Sequence, residues 1–190
     1  MQKYPINLTS GLVTSARQLV SPFCDARPQG ELPELIVIHA ISLPPDTYGG
    51  GFVDDLFCGC LDPQAHAYFA EIAHLRVSSH LFINRAGAVT QYVPLHCRAW
   101  HAGVSRYQGR TGCNDFSIGI ELEGCDRDTF TNAQYTSLNE LILSLCHSYT
   151  SLSWKRIAGH SDIAPGRKTD PGPGFDWNRL TAKPYAQEAL

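Results

Sequence analysis

The apolar residues fall into several short runs of strand-like composition and one long run with helical spacing. Buried strands are predicted at 35–40 by a run of β-branched and other apolar residues, at 115–123 by alternating apolar residues, and at 154–158 by a short apolar run. Two further runs, 77–84 and 89–93, flank a tight glycine-containing connection, which predicts a β-hairpin. The pattern therefore indicates a sheet built from short strands.

The strand predicted at 115–123 carries charge on one side only. Successive side chains of a strand point to opposite faces. The alternate apolar residues from Phe116 to Leu122 share one face, whereas Glu121 and Glu123 point to the other. A single strand thus offers two carboxylates on the same face.

The long apolar run, from Tyr135 to Tyr149, repeats at helical spacing and predicts a helix over Thr131–Tyr149. Thr131 and Gln134 match a capping box at the start of this helix. Shorter helices are expected near Thr14–Leu19 within an extended N-terminal arm, at 53–60, at 63–73 with Asp62 as the cap and Pro63 in the first helical position, and at 176–180.

Strands with helices between them predict an α/β or α+β fold, in which a mixed central β-sheet is flanked by helices. A length of 190 residues suits a single domain with a substantial core. Hydrophobic residues make up 43% of the chain and charged residues 17%, and this balance excludes global disorder.

Charge and cysteine content bear on partners and location. A net charge of −3 gives no electrostatic footprint for nucleic acid or for an anionic membrane. Residues 1–10 lack the apolar core of a signal peptide, and no run approaches the roughly 18 apolar residues of a membrane span. Seven cysteines without a paired motif are typical of reduced thiols. We therefore expect a cytoplasmic protein that binds neither nucleic acid nor membrane.

A Pro/Gly-rich segment, 159–173, follows the strand predicted at 154–158 and contains His160, Lys168 and Asp170. Its prolines restrict the backbone. Long loops in compact domains are usually functional or disordered, and a stiff loop is what a metal or catalytic site needs. From this segment alone, the alternative that His160 and Asp170 merely cap a strand and a turn stays open.

Two of the eight histidines, His39 and His160, each end a predicted strand and open a Pro/Gly-rich loop. Ligands of α/β proteins tend to bind at such strand ends. If the two strands are neighbours, His39, His160 and Asp170 can meet at one point. Two imidazoles and a carboxylate with an open fourth position form a donor set for catalytic zinc, which makes water nucleophilic at neutral pH.

Hydrolysis at such a site also needs a proton acceptor and a cation near the developing oxyanion. Glu121 or Glu123 can serve as the acceptor and Lys168 as the cation. A cysteine nucleophile, Cys97 or Cys125, is less favoured because the cysteines follow no motif and a free cysteine is commonly just a small apolar residue. A serine hydrolase is disfavoured because no Gly-x-Ser-x-Gly motif is present.

Several segments resemble, in the same order along the chain, the zinc-dependent N-acetylmuramoyl-L-alanine amidases. These segments are Val37–His39 with 41–45, then 73–80, 98–103, 114–124 and 159–173. Within that family the chain is most similar to the branch that acts on 1,6-anhydro-N-acetylmuramyl peptides in cell-wall recycling. The match runs from about residue 12 to residue 180 of a single domain spanning 1–190. It implies the mixed-sheet fold shared with phage amidases and peptidoglycan recognition proteins, and we expect a monomer.

The resemblance implies that zinc is held by His39, His160 and Asp170. It implies Glu121, rather than the second carboxylate of its strand, as the catalytic carboxylate and Lys168 as the cation beside the oxyanion. The expected substrate is an anhydromuramyl-peptide, cleaved between the lactyl carbonyl and L-Ala.

The resemblance also implies a substrate pocket. Arg76 is expected to meet the carboxylates of the stem peptide, with a solvated helix end as the alternative. His80, Trp100 and His101 are expected to line or brace the pocket, with core packing as the alternative.

Two positions depart from the family pattern. Ala40 directly follows His39, where the family usually carries an Asn that is thought to contact the sugar, so Ala40 affects muramyl recognition rather than zinc binding. Gly112 stands where close relatives tend to carry Arg, and its presence removes a possible partner for a carboxylate.

Two other functions are compatible with the same fold. One is a non-catalytic module that binds peptidoglycan or muropeptides, and the other is an amidase of the intact cell wall. The retained set of expected zinc ligands, with Glu121 and Lys168, argues against the first. The absence of an export signal argues against the second.

Overall fold

A computed structural model of the chain describes residues 2–180. The strands are β1 (Ile6–Asn7), β2 (Leu12–Val13), β3 (Arg17–Gln18), β4 (Cys24–Ala26), β5 (Leu35–Ile41), β6 (Leu81–Ile83), β7 (Val89–Gln91), β8 (Cys97–Ala99), β9 (Arg106–Tyr107), β10 (Arg110–Thr111), β11 (Ser117–Glu123) and β12 (Ile157–Gly159). The helices are α1 (Phe52–Cys58), α2 (Ala67–Ile72), α3 (Asn132–Ser148) and α4 (His160–Ile163), with short 3-10 helices at Cys113–Asp115 and Trp177–Arg179.

The central sheet has six strands in the order β12-β5-β11-β6-β7-β3. Strands β12, β5, β11 and β6 run parallel to one another. Strand β7 pairs antiparallel with β6, as expected for the predicted hairpin, and β3 joins β7 in parallel at the edge. The sheet is therefore mixed, with its parallel part at one side.

The two faces of the sheet carry separate cores. On one face, Ile120 packs with the apolar side of α3, which includes Leu141. On the other face, Phe82 packs with Phe57 of α1 and Phe69 of α2. Because both faces are covered, β11 is buried along its whole length. This arrangement confirms the predicted mixed sheet flanked by helices.

The helix predicted over Thr131–Tyr149 is confirmed as α3. Thr131 Oγ1 accepts from the backbone N–H of Gln134, and the Gln134 side chain accepts from the backbone N–H of Thr131. This reciprocal capping box satisfies two N–H groups that a helix start otherwise leaves unpaired. The short helix predicted at 176–180 is present too, but as a 3-10 helix over Trp177–Arg179 that Asp176 caps.

The helix predicted near Thr14–Leu19 is wrong, because this segment contains β3. Gln91 holds it from a distant part of the chain. The side-chain oxygen of Gln91 accepts from the backbone N–H of Val13, and its backbone oxygen accepts from that of Leu19. Pairing with a remote strand overrides the local helical spacing.

Helix α2 begins later than predicted. Its cap is His66, whose ring nitrogen accepts from the backbone N–H of Tyr68. Asp62 instead accepts from the backbone N–H of Gln64 in a separate turn. Histidine is not a preferred cap, so the stronger Asp-Pro signal pointed to the wrong start.

The boundaries of the two histidine-bearing strands also differ from the prediction. Strand β5 does not end at His39 but continues to Ile41, because β11 pairs with it along that whole length. Strand β12 begins at Ile157 rather than at Trp154, after a turn closed by a backbone hydrogen bond from Arg156 to Ser153.

Two further expectations need correction. Phe116 precedes β11 and packs with Leu35 in the core on the opposite side from Ile118, so it does not share the face of the other apolar residues. The segment 159–173 is not loop throughout, because α4 occupies its first turn.

The structure bears on two possibilities that the sequence disfavours, a membrane span and a cysteine nucleophile. No helix within residues 2–180 is both long and apolar enough to span a membrane. All seven cysteines lie in that range and are free thiols. Burial raises the pKa of the Cys97 thiol, which disfavours it as a nucleophile.

The capping box generates a stability prediction. Thr131→Ala removes the cap and a hydroxyl bond to the Arg85 carbonyl, so we expect urea unfolding to show a loss of about 1 kcal/mol. Thr136→Ala is the matched control, since that exposed hydroxyl only returns to the Asn132 carbonyl within the helix. Equal losses in both variants would contradict a specific role for the cap.

Candidate metal and catalytic site

Three neighbouring parallel strands carry the central residues to the same level. In the pairing of β5 with β11, His39 lies opposite Glu121. In the pairing of β12 with β5, Gly159 lies opposite Ile38, so the next residue, His160, comes level with His39. His39, Glu121 and His160 are all buried. Strand register thus brings together three residues that are far apart in sequence.

Asp170 completes this group. The backbone N–H of Ser161 donates to the Asp170 carbonyl at 2.9 Å and ties the far end of the loop to the start of α4. Asp170 Oδ2 lies 3.1 Å from Nδ1 of both His39 and His160, and these two nitrogens are 3.0 Å apart. Among residues 2–180, only these three side chains form a group that could hold a metal ion.

The far sides of both imidazole rings are occupied. His160 Nε2 lies 3.2 Å from the Ala102 carbonyl, which can only accept. Arg167 Nη2 is 3.4 Å from the same nitrogen, but it donates its two hydrogens to the carbonyls of Ala102 and Val104. His160 Nε2 therefore carries the proton, and Nδ1 keeps a lone pair. His39 Nε2 lies 2.9 Å from Nδ1 of His101. Burial lowers the pKa of His39, which keeps its ring neutral. Two imidazole nitrogens and a carboxylate oxygen converging on one point fit Zn²⁺.

Glu121 faces the same point from β11. Its Oε1 lies 4.0 Å from His39 Nδ1, and its buried Oε2 has no hydrogen-bond partner in the described part of the chain. Burial raises the pKa of Glu121 well above its usual range; the charge of Asp170 adds to this effect and that of Lys168 opposes it. A buried carboxylate with a raised pKa and a free oxygen is typical of a general base.

Asp170 has the opposite electrostatic environment. Burial alone would raise its pKa, but the interactions with the His160 and His39 rings outweigh burial and lower it. The pKa values of Asp170 and Glu121 are therefore pushed apart. Such a separation assigns different roles to two neighbouring carboxylates, one as a permanent anion and the other as a proton acceptor.

The group opens onto a cleft of about 720 Å³. Lys168 lines the cleft, and its exposed charge acts on the pKa values of both Glu121 and His39. The cleft is also lined by the largely apolar side chains of Leu56, Phe57, Tyr68, Ile72 and Leu75. The cleft therefore combines charged and apolar lining residues, and it has the size of a small-molecule site.

The predicted substrate-binding residues occupy different places. Trp100 and His101 line the cleft. Arg76 is exposed beside it, with its guanidinium carbon 5.6 Å from the centre of the Trp100 ring. Arg76 is thus held by a cation–π contact with a residue that lines the cleft, rather than projecting freely from a helix end.

The two departures from the family pattern lie in different surroundings. Ala40 lines the cleft, but its side chain points to the face of β5 opposite to His39 and packs against the core under α3. Gly112 does not line the cleft. Its φ of +72° is in the left-handed region, so a side chain at this position is strained.

Two residues that the sequence offered for the site, His80 and Glu123, bond to the backbone instead. Both ring nitrogens of His80 are bonded to the backbone, one of them accepting from the N–H of Gly119, and burial lowers its pKa to about 3. Glu123 accepts from the backbone N–H groups of Gly49 and Arg85. His80 therefore braces the core, and Glu123 fixes loops rather than offering a free oxygen.

Sequence reasoning missed two residues that support the site. Asn114 Oδ1 accepts from the backbone N–H groups of His101 and Ala102 at 3.1 and 2.7 Å. Arg167 donates to the carbonyls of Ala102 and Val104 at 2.6 and 2.8 Å. Their positions were a usable signal, because Asn114 lies in a family-like segment and Arg167 immediately precedes the expected oxyanion cation.

Comparison with known proteins agrees with this geometry. Residues 29–173 match the family model described as N-acetylmuramoyl-L-alanine amidase. The chain belongs to this amidase family. It is 57% identical over 173 residues to the 1,6-anhydro-N-acetylmuramyl-L-alanine amidase AmpD of Escherichia coli (strain K12), covering 91% of this chain and 94% of that amidase.

Solved structures of amidases show the same fold. The crystal structure of a selenomethionine AmpD derivative matches with a TM-score of 0.89 and 54% identity, covering 92% of this chain and 97% of that one. The E. coli amidase AmiD, in complex with anhydro-N-acetylmuramic acid-L-Ala-D-γ-Glu-L-Lys, matches with a TM-score of 0.57 and 31% identity over 82% of this chain and 59% of that one. The expected family, fold and enzyme class, an amide hydrolase, are therefore confirmed.

Packing of His101 against β11 generates a second prediction. A Cβ atom at Gly119 would lie 2.6 Å from Cγ of the His101 ring, so Gly119→Ala should destabilise the protein by about 1 to 3 kcal/mol in urea unfolding. In a His101→Ala background the ring is absent and the same change should cost much less. An equal cost in both backgrounds would show that the ring is not what excludes a side chain at Gly119.

Proposed function

We propose that this protein is a zinc-dependent amidase that cleaves the amide between the lactyl group of 1,6-anhydro-N-acetylmuramic acid and L-Ala of the stem peptide, in peptidoglycan recycling. The convergence of two imidazole nitrogens and one carboxylate oxygen carries this proposal, together with the nearby Glu121 oxygen that has no partner in the described part of the chain. High identity to an amidase named for this substrate, over almost its whole length, supports the choice of bond.

The proposed metal ligands are His39, His160 and Asp170. When bound there, zinc would act as a Lewis acid that activates water and polarises the scissile carbonyl. The low pKa of Asp170 keeps one negative charge in the ligand set. The neutral ring of His39 and the Nε2–H tautomer of His160 leave an Nδ1 lone pair on each imidazole.

Glu121 and Lys168 would carry out the proton transfer and charge stabilisation. The free Oε2 of Glu121 accepts the proton of the attacking water and passes it to the leaving amine of L-Ala. The ammonium group of Lys168, beside the same cleft, stabilises the negative charge that develops on the carbonyl oxygen. Both groups act in a partly enclosed cleft, where electrostatic interactions are stronger than in water.

For substrate binding, we propose that Arg76 and Trp100 hold the stem peptide and that His101 acts behind His39. Arg76 stacks on the Trp100 ring and directs a positive charge toward a peptide that carries carboxylates. Ala40 offers no polar group to the sugar. We further propose that the protein works in the cytoplasm as a monomer and binds neither nucleic acid nor membrane.

The first test is metal content together with turnover. We expect a single zinc ion per chain, release of anhydromuramic acid from soluble anhydromuramyl-tripeptide, and loss of turnover on chelation that added zinc reverses. Asp170→Ala should lower zinc content, because it removes one ligand. Zinc without turnover would instead indicate a binding module, and faster cleavage of intact peptidoglycan would indicate a cell-wall amidase.

The second test concerns Glu121. We expect Glu121→Gln to retain zinc and to lower kcat by about 10²- to 10⁴-fold, since the amide cannot accept the proton. Glu123→Gln is the matched control on the same strand, because that carboxylate serves backbone N–H groups and should leave the chemistry intact. Comparable losses of kcat in both variants would remove Glu121 from the role of base.

Glu121→Gln should also change how the unfolding free energy of the metal-free protein depends on pH. The folded-state pKa of Glu121 is raised above its usual value of 4.5, so the folded protein binds more protons than the unfolded chain between those two values. Stability therefore falls as the pH rises through this range. Glu121→Gln should remove this loss, so its gain in unfolding free energy over wild type should grow from pH 4.5 toward neutrality.

A further inference from the structure

The ring of His101 lies behind His39 and against β11. Its Nδ1 is 2.9 Å from His39 Nε2, and its Nε2 is 3.1 Å from Ser117 Oγ. The ring fits against the strand only because Gly119 carries no side chain. Ser117, Gly119 and Glu121 alternate along β11 and share one face, so one strand face supports His101 and also presents the carboxylate.

The direction of the hydrogen bonds that link Ser117, His101 and His39 is determined at Ser117. Ser117 Oγ lies 2.6 Å from the Cys113 carbonyl, which can only accept, so the hydroxyl hydrogen points there. Ser117 Oγ is then left as an acceptor, and His101 Nε2 donates to it. A neutral His101 with its proton on Nε2 has a lone pair on Nδ1, which accepts from His39 Nε2.

The neutral state of His101 follows from its neighbours. Within residues 2–180, its ring nitrogens bond only to His39 and Ser117, and no carboxylate lies within hydrogen-bonding distance. With the proton of His39 held on Nε2, the Nδ1 of that ring carries a lone pair aimed at His160 and Asp170. The Asp170 carboxylate favours the other tautomer of His39, because it would accept a hydrogen bond from a proton placed on Nδ1.

We propose that Ser117 and His101 form a tautomer relay that holds the proton of His39 on Nε2 and so presents its Nδ1 lone pair to the metal. His101 and Ser117 are positioning residues in this scheme. The relay rests on the proposed function for its use of zinc, but the tautomer of His39 is a property of the metal-free protein as well. His160 has its own fixed acceptor, the Ala102 carbonyl, so the two imidazoles are oriented independently.

The test compares Ser117→Ala with two controls. Ser117→Thr keeps the hydroxyl. Ser137→Ala removes another buried serine of the same kind, which accepts from the Tyr4 hydroxyl and donates to the Gly87 carbonyl, far from the site. We expect competition with a chromophoric chelator to show zinc binding about 10- to 100-fold weaker in Ser117→Ala, with near-normal binding in both controls.

The second readout is the tautomer itself, measured by proton–nitrogen correlation NMR of ¹⁵N-histidine-labelled, metal-free protein. In the wild type we expect the proton of His39 on Nε2; in Ser117→Ala it should shift toward Nδ1, where Asp170 accepts it. Unchanged zinc affinity and tautomer in Ser117→Ala, or equal weakening in Ser137→Ala, would overturn the relay. A wild-type protein without zinc would overturn the proposed function, whereas the NMR comparison would still decide the relay.

Discussion

Parallel pairing of β12, β5 and β11 is the constraint on which the site depends. The shared register puts His160, His39 and Glu121 side by side on one face of the sheet, while the alternate residues of the same strands pack under α3. Because side chains alternate along a strand, a shift of one residue would turn His39 into that core. The packing of α3 therefore stabilises the geometry of the site from the opposite face of the sheet.

The site concentrates buried ionisable groups, and this concentration works against stability. Among residues 2–180, Glu121 Oε2 has no hydrogen-bond partner, although an unsatisfied buried polar atom is unfavourable. Asp170 Oδ2, by contrast, lies 3.1 Å from Nδ1 of both His39 and His160. In the proposed mechanism, this difference separates the metal ligand, Asp170, from the base, Glu121. Active sites commonly retain such unfavourable features at the expense of stability.

A second layer orients the donor atoms. The segment at His101 and Ala102 provides partners for the far sides of both imidazoles, the His101 ring for His39 and the Ala102 carbonyl for His160. This segment is itself held by Asn114 and Arg167, which bond to its N–H and carbonyl groups. Outer contacts of this type fix ring orientation and tautomer in metal sites. Asn114 and Arg167 thus hold the segment that in turn orients the rings of His39 and His160.

The sequence by itself determined the family, the types of most elements and the identity of the residues that converge, because these depend on local patterns: the capping box at Thr131, the β-branched runs and the Pro/Gly-rich segment after His160. Only the tertiary structure decided that Glu121 has a free oxygen while Glu123 is occupied by two loops. It also decided the strand in place of the N-terminal helix and the support of His39 by Ser117 through the intervening ring. These features depend on contacts between distant parts of the chain, and no local pattern of residues encodes such contacts.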